Sequence, residues 1–177
     1  MAHPEQKEFC ERVKVKFPEH FVRQGVLDAG SRDINGNNRY LFEECCYFGL
    51  DISPGENIDV VGMIHEFRLG EKEVFDTIIS TEVFEHDMFF HRSIARILEL
   101  LKPDGLFLFT CATDNRPEHG TITHGHESSP ETSKISGWDQ FYRNIPPEEA
   151  IAIGRHFRQW GIEVYRERGD LYFWGKR

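Results

Sequence analysis

Residues 105–112 read GLFLFTCA, eight positions with one hydroxyl as their only polar side chain. The run is short for a buried helix and lacks the alternation of a half-exposed strand. It suits a central strand buried on both faces, which is the habit of parallel sheets. A strand of that kind needs cover above and below. The segment before it supplies some: residues 88–102 carry Ile94, Ile97, Leu98 and Leu101 at helical spacing and end at Lys102-Pro103.

The other segments alternate in the same manner. Residues 5–17 predict a short covering helix, with Phe9, Val13 and Phe17 four apart and Pro18 ending the run. Residues 25–30 (GVLDAG) read as a strand running into the loop 31–36. A helix is expected over 37–46, with Tyr40, Leu41 and Cys45 on one side. Strands are expected at 47–52, 58–62 and 74–80, with a turn at Pro54-Gly55 and a loop or helical turn over 63–70. Residues 147–160 return to helix, with Ala150, Ile153, Phe157 and Trp160 on one side. Segments 162–168 and 171–175 close the chain as a hairpin turning at Gly169-Asp170. Strands alternating with helices predict an α/β fold with a mostly parallel sheet, helices on both faces and a C-terminal antiparallel hairpin. At 177 residues the chain fits a single domain, 1–177.

Composition narrows the function classes. With 21 basic against 30 acidic residues the formal charge is −9, which repels phosphate backbones and argues against a nucleic-acid partner. Cys10, Cys45, Cys46 and Cys111 contain no CxxC pair, and the start MAHPEQKEFCERVK is polar; four reduced thiols in a cytoplasmic protein are the expectation. No apolar run reaches the roughly 18 residues of a membrane span, so no membrane association is expected. Oligomeric state stays open.

In open α/β sheets ligands bind beyond the carboxyl ends of the strands. Polar and small residues stand at those ends here. Asp28 and Gly30 close the first strand, and the loop after it holds Gly36 with Asn35, Asn37 and Asn38 around it. Glycines let backbone approach a ligand closely. Asp51 ends the second strand, where a carboxylate accepts bonds from both ribose hydroxyls. The structural alternatives are a capped turn for Asp28 and Gly30 and an Asx turn before Pro54 for Asp51.

The segments VLDAGSRDINGN, YFGLDISPGENIDVVGMIHEF, FDTIISTEVFEH and ILELLKPDGLFLFT, in this order, resemble class I S-adenosylmethionine-dependent methyltransferases, in particular the small type 11 domains. The resemblance covers roughly residues 23–113 and implies the family's Rossmann-like seven-stranded sheet. It implies S-adenosylmethionine as cofactor and methyl transfer to a small-molecule or unidentified acceptor. By position it puts Asp28, Gly30 and Ser31 around the methionine part, Asp51 on the ribose and Ile52 against the adenine. Met63 and Ile64 fall where the family places further adenine contacts, and Thr81 and Glu82 at the methionine and methyl end. Two departures stand out: Met63 replaces the usual acidic residue, and the first loop is longer to its last glycine than GxGxG.

Methyl transfer is an in-line displacement that neutralises a sulfonium, so the protein's share is alignment and desolvation. Candidate bases for an acceptor that must lose a proton are Glu82 and His86, with Glu85 beside them; the Glu-His pair also reads as structural, orienting the following helix. Residues 113–146 are polar and weakly periodic, and predict an acceptor-side loop or lid. In it, His119, His124, Tyr142 and Arg143 are candidate substrate residues. The spacing of His119, His124 and His126 invites a metal reading, but no carboxylate or Cys completes a recognised motif, and no metal is expected. A nicotinamide-dinucleotide-dependent oxidoreductase is the competing enzyme class. It expects GxGxxG after the first strand, which is absent. A catalytically degenerate cofactor-binding module is the third reading.

Overall fold

A computed structural model describes residues 3–34, 36–69 and 72–177. Its centre is a seven-stranded sheet: β1 (Gly25–Ala29), β2 (Cys46–Asp51), β3 (Val60–Val61), β4 (Phe75–Thr81), β5 (Leu101–Ala112), β6 (Gln159–Tyr165) and β7 (Asp170–Lys176). The spatial order is β3-β2-β1-β4-β5-β7-β6. Strands β1 to β5 pair in parallel. Strand β7 is antiparallel to both neighbours, so β6 returns to the common direction.

The apolar run at 105–112 is the axis of the packing. Phe107, Phe109 and Cys111 point to one face, and Leu106 and Leu108 to the other. On the first face α2 (Phe90–Leu100) and α3 (Pro147–Gly154) bury Ile94, Ile97, Leu100, Ala150 and Ile153. On the second, α1 (Pro4–Lys16) buries Phe9, Cys10 and Val13 beside Leu41 and Tyr172. Each buried Phe or Leu contributes about 1.5–3 kcal/mol of apolar burial. Helices thus lie on both faces, as the strand's two buried sides require. All four cysteines are free thiols, and no helix among the described residues is long and apolar enough to cross a membrane.

Five expectations need correction. The helix expected at 37–46 is a single 3-10 turn, Arg39–Leu41. Asparagine side chains compete with the helix here: Asn37 Oδ1 accepts from the Arg39 amide at 3.0 Å, and the Asn38 amide group reaches into the sheet. Phe42 is then extended and Glu44 left-handed, with φ 53°. The helix expected at 147–160 stops at Gly154, and Trp160 sits in β6. A Cβ on Gly154 would stand 2.4 Å from the Trp160 ring, so the helix end is packed under that indole. Lys102-Pro103 lie inside β5, because Leu101 already pairs with Phe75 and a register shift follows. The closing hairpin also differs in its bounds, turning at 166–169 with Gly169 at φ 70°. Of the expected 58–62 strand, only Val60–Val61 forms a ladder.

Candidate active site

The carboxyl ends of β1, β2 and β4 border one open cleft. Asp28, Gly30, Ser31, Asp51, Ile52, Met63, Ile64, Thr81 and Glu82 all line it, so the nine residues expected around a nucleoside converge there. His86 joins them. The long loop roofs the cleft through Ser128, Ser129, Pro130, Glu131 and Thr132, with Trp138. Arg32 from the first loop meets Glu131 of this roof at 2.7 Å.

Asp28 is fully buried within β1. Tyr47 donates its hydroxyl to Oδ2, and Asn38 Nδ2 lies 3.3 Å from the same oxygen and 3.1 Å from Thr81 Oγ1. Burial pushes the Asp28 carboxyl up to about 7, although both donors favour the charged form. Gly30 follows at φ 87°, in the left-handed region. A Cβ there would come within 2.1 Å of Val83 Cγ2, so only glycine lets the loop pass this close to the β4 exit. Ser31 is used within the scaffold, its hydroxyl donating to the Asn57 carbonyl at 2.8 Å.

Asp51 ends β2 with both oxygens oriented by backbone. The Arg32 amide donates to Oδ2 at 3.3 Å and the Ser53 amide to Oδ1 at 3.2 Å. Burial raises its pKa and these amides oppose the rise. The Asx turn expected as a structural alternative is therefore present, and the same carboxylate lines the cleft.

At the β4 exit Glu82 takes φ 55°, a strained value for a residue with a side chain, costing about 1–2 kcal/mol. Its amide donates to the Thr110 carbonyl, and its buried Oε1 has no hydrogen-bond partner. Glu85 is wholly buried; Oε1 accepts from the Ala112 amide at 3.2 Å, while Oε2 is unpartnered. Burial first, then the Glu82 charge, pushes Glu85 up to about 8. His86 is buried with an unpartnered Nδ1, and burial drives its pKa down to about 3, so its ring is neutral.

The expected substrate residues divide. His119 and Tyr142 stack edge-on around His86, with ring centroids at 5.1 and 5.7 Å. His124 is exposed and meets Glu118 at 3.2 Å. Arg143 is committed to Glu149 at 2.6 Å and lies over the Phe90 ring. None of these four lines the cleft itself. Sequence reasoning missed Tyr47 as a site component; it placed Asn38 in the first loop and 128–132 inside the expected loop or lid, without the partners either one meets. Tyr47 stands directly opposite Val26 in the β1–β2 ladder, a register that sequence alone does not give.

The strand order and the reversed β7 are those of the Rossmann-like fold of class I methyltransferases. The chain is similar to the 1,6-didemethyltoxoflavin-N1-methyltransferase of Burkholderia thailandensis, with TM-score 0.65 and 16% identity over 97% of this chain and 77% of that one. It is similar to a SAM-dependent methyltransferase from Archaeoglobus fulgidus, with TM-score 0.64 and 13% identity over 97% and 94%. The N-methyltransferase NodS of Bradyrhizobium japonicum gives TM-score 0.62 and 15% identity over 99% and 89%. No family model matches the sequence, and no curated protein matches it. Likeness at these identities carries the fold.

Proposed function

We propose that this protein is an S-adenosylmethionine-dependent methyltransferase acting on a small-molecule acceptor. The observation that carries the reading is the cleft itself. Two carboxylates, Asp28 and Asp51, lie along it, a glycine cradle sits between them, and apolar Ile52, Met63 and Ile64 stand beyond Asp51. This arrangement matches the chemistry of a nucleoside joined to an amino acid. Asp51, already oriented by two amides, would take the ribose hydroxyls. Asp28 would face the ammonium of the methionine part, and Ile52, Met63 and Ile64 would flank the adenine. Gly30 leaves backbone room between them.

When bound, the cofactor supplies a methyl group on a positively charged sulfur. The chain's residues then have three tasks. The 128–132 roof excludes water. The walls hold the acceptor in line, an effect worth about 7–11 kcal/mol when alignment is good. Where the acceptor must lose a proton, Glu82 Oε1 is a buried, unpartnered oxygen on the cleft wall at the β4 exit. His86, held neutral, lines the same wall.

The oxidoreductase reading gains no support from the site: the first loop lacks GxGxxG, and β7 inserts antiparallel between β5 and β6. Calorimetric titration with S-adenosylhomocysteine and, separately, NAD tests both. Saturable binding of the former alone is expected. No uptake of it at millimolar concentration would overturn the reading.

A further inference from the structure

Behind the β4 exit three potential metal ligands converge from two distant parts of the chain. One ligand atom each from Glu85, His86 and His119 lies within 4.8 Å of the other two. Donors around a tetrahedral zinc ion, with bonds of about 2.0–2.1 Å, stand about 3.3 Å apart. The cluster is thus slightly open, and its least buried member is the half-buried His119 on the long loop.

Two features separate this group from an ordinary packed cluster. Glu85 Oε2 and His86 Nδ1 are both buried and without a hydrogen-bond partner, in residues 0% and 7% exposed. Buried polar atoms are nearly always paired, so unpaired ones ask for a compensating group. The neighbouring Glu82 adds a second carboxylate, whose Oε1 is also unpartnered. The ligands are also oriented from behind. Glu85 Oε1 is fixed by the Ala112 amide. His119 Nδ1 lies 3.1 Å from the Pro117 carbonyl, which only accepts. The ring proton therefore sits on Nδ1, and Nε2 carries the lone pair, the tautomer a metal-ligating histidine uses. Gly120 brings the loop onto His86: a Cβ there would fall 2.5 Å from His86 Cε1.

We propose that Glu85, His86 and His119 form a binding site for one divalent transition-metal ion. Two imidazoles and one carboxylate with a position left open is a ligand set that zinc accepts in catalytic centres. His124 and His126 take no part, since they face Glu118 and Glu127 on the surface. Because His86 and Glu82 also line the cleft, the ion would stand at its end and hold an acceptor oxygen, lowering the pKa of a hydroxyl there. That role rests on the function proposed above; the site itself does not.

The test uses the full chain, stripped with a chelator and titrated with zinc chloride by calorimetry, with thermal unfolding followed alongside. One ion per chain and a raised Tm are expected. His119→Ala should weaken uptake at least 10–100-fold while leaving the far-ultraviolet spectrum unchanged. Glu85→Gln should weaken it comparably, and His124→Ala should leave it unchanged. The proposal is overturned by equal uptake in His119→Ala and wild type, by equal weakening in His124→Ala, or by no saturable uptake at millimolar zinc. S-adenosylhomocysteine titrated into the stripped protein is a separate arm. Its failure with zinc binding intact would sink the methyl-transfer reading and leave the metal site standing.

Discussion

At the β1–β2 side of the cleft the carboxylates have partners before any ligand arrives: Asp28 holds Tyr47 and Asn38, and Asp51 holds two backbone amides. At the β4 side, Glu82 Oε1, Glu85 Oε2 and His86 Nδ1 have none, and Glu82 also carries a strained backbone. Satisfied groups are preorganised and keep their geometry whether or not a ligand is present. Unsatisfied buried groups are tolerated only when something offsets them, and they mark where a reacting partner or an ion belongs. Under the proposed function, the first side would recognise the constant cofactor and the second would carry the chemistry on a variable acceptor.

The largest expected effect breaks the first side. Gly30→Ala places a methyl group within 2.1 Å of Val83 Cγ2 at φ 87°. Overpacking and left-handed strain together should cost about 3–5 kcal/mol. Urea denaturation should show the loss, and nucleoside binding should fall with it. A midpoint unchanged from wild type would mean that the loop is not held against Val83.

Next comes the buried acid. The Asp28 carboxyl is raised from 3.8 to about 7 in the folded chain, chiefly by burial. A raised folded-state pKa means that the native state binds more protons than the unfolded one between these values. The stabilisation is complete below about 3.8 and is lost as pH rises through about 7. About 4 kcal/mol is involved. Asp28→Asn, which keeps the shape and cannot ionise, should flatten this decline in unfolding free energy between acid and neutral pH. Parallel wild-type and variant profiles would show that Asp28 is charged throughout.

The two sides were unequally legible in the sequence. Strand ends marked Asp28, Gly30 and Asp51, because a parallel sheet gathers such ends at one edge, and the family resemblance supplied the other six of the nine cleft-lining positions. The partners that orient them were not legible. Tyr47 reaches Asp28 across a ladder, and Asn38 looked like the start of a helix that its own side chain helps to prevent. On the β4 side, Glu85 and His86 were visible as a pair, but the convergence of His119 depends on the path of a loop with no periodicity. Local spacing drew attention to His119 together with His124 and His126, and the fold leaves the latter two on the surface.

Asp51→Ala sharpens the assignment of the first side. Removing the carboxylate should weaken S-adenosylhomocysteine binding by roughly 1–3 kcal/mol, the worth of hydrogen bonds to a charged group. The Arg32 and Ser53 amides lose their acceptor too, so the folded state of the variant must be checked by its denaturation midpoint. A folded variant with an unchanged dissociation constant would remove the ribose assignment.

The smallest effect concerns the join between the two sides. Arg32, on the loop that follows β1, pairs with Glu131 of the roof at 2.7 Å, with both side chains about three-quarters buried or more. Partial exposure screens such a pair, and Arg32→Ala should change global stability by only about 0–1 kcal/mol. Its effect should be local. Freed of the clamp, residues 128–132 should exchange amide hydrogens faster in the absence of ligand, and nucleoside dissociation should quicken more than association slows. If exchange in that segment is unaltered while the cleft still binds, the roof is held by its own turns, such as the Ser129–Thr132 hydroxyl contact at 2.5 Å, and the two sides of the cleft are coupled only through the sheet.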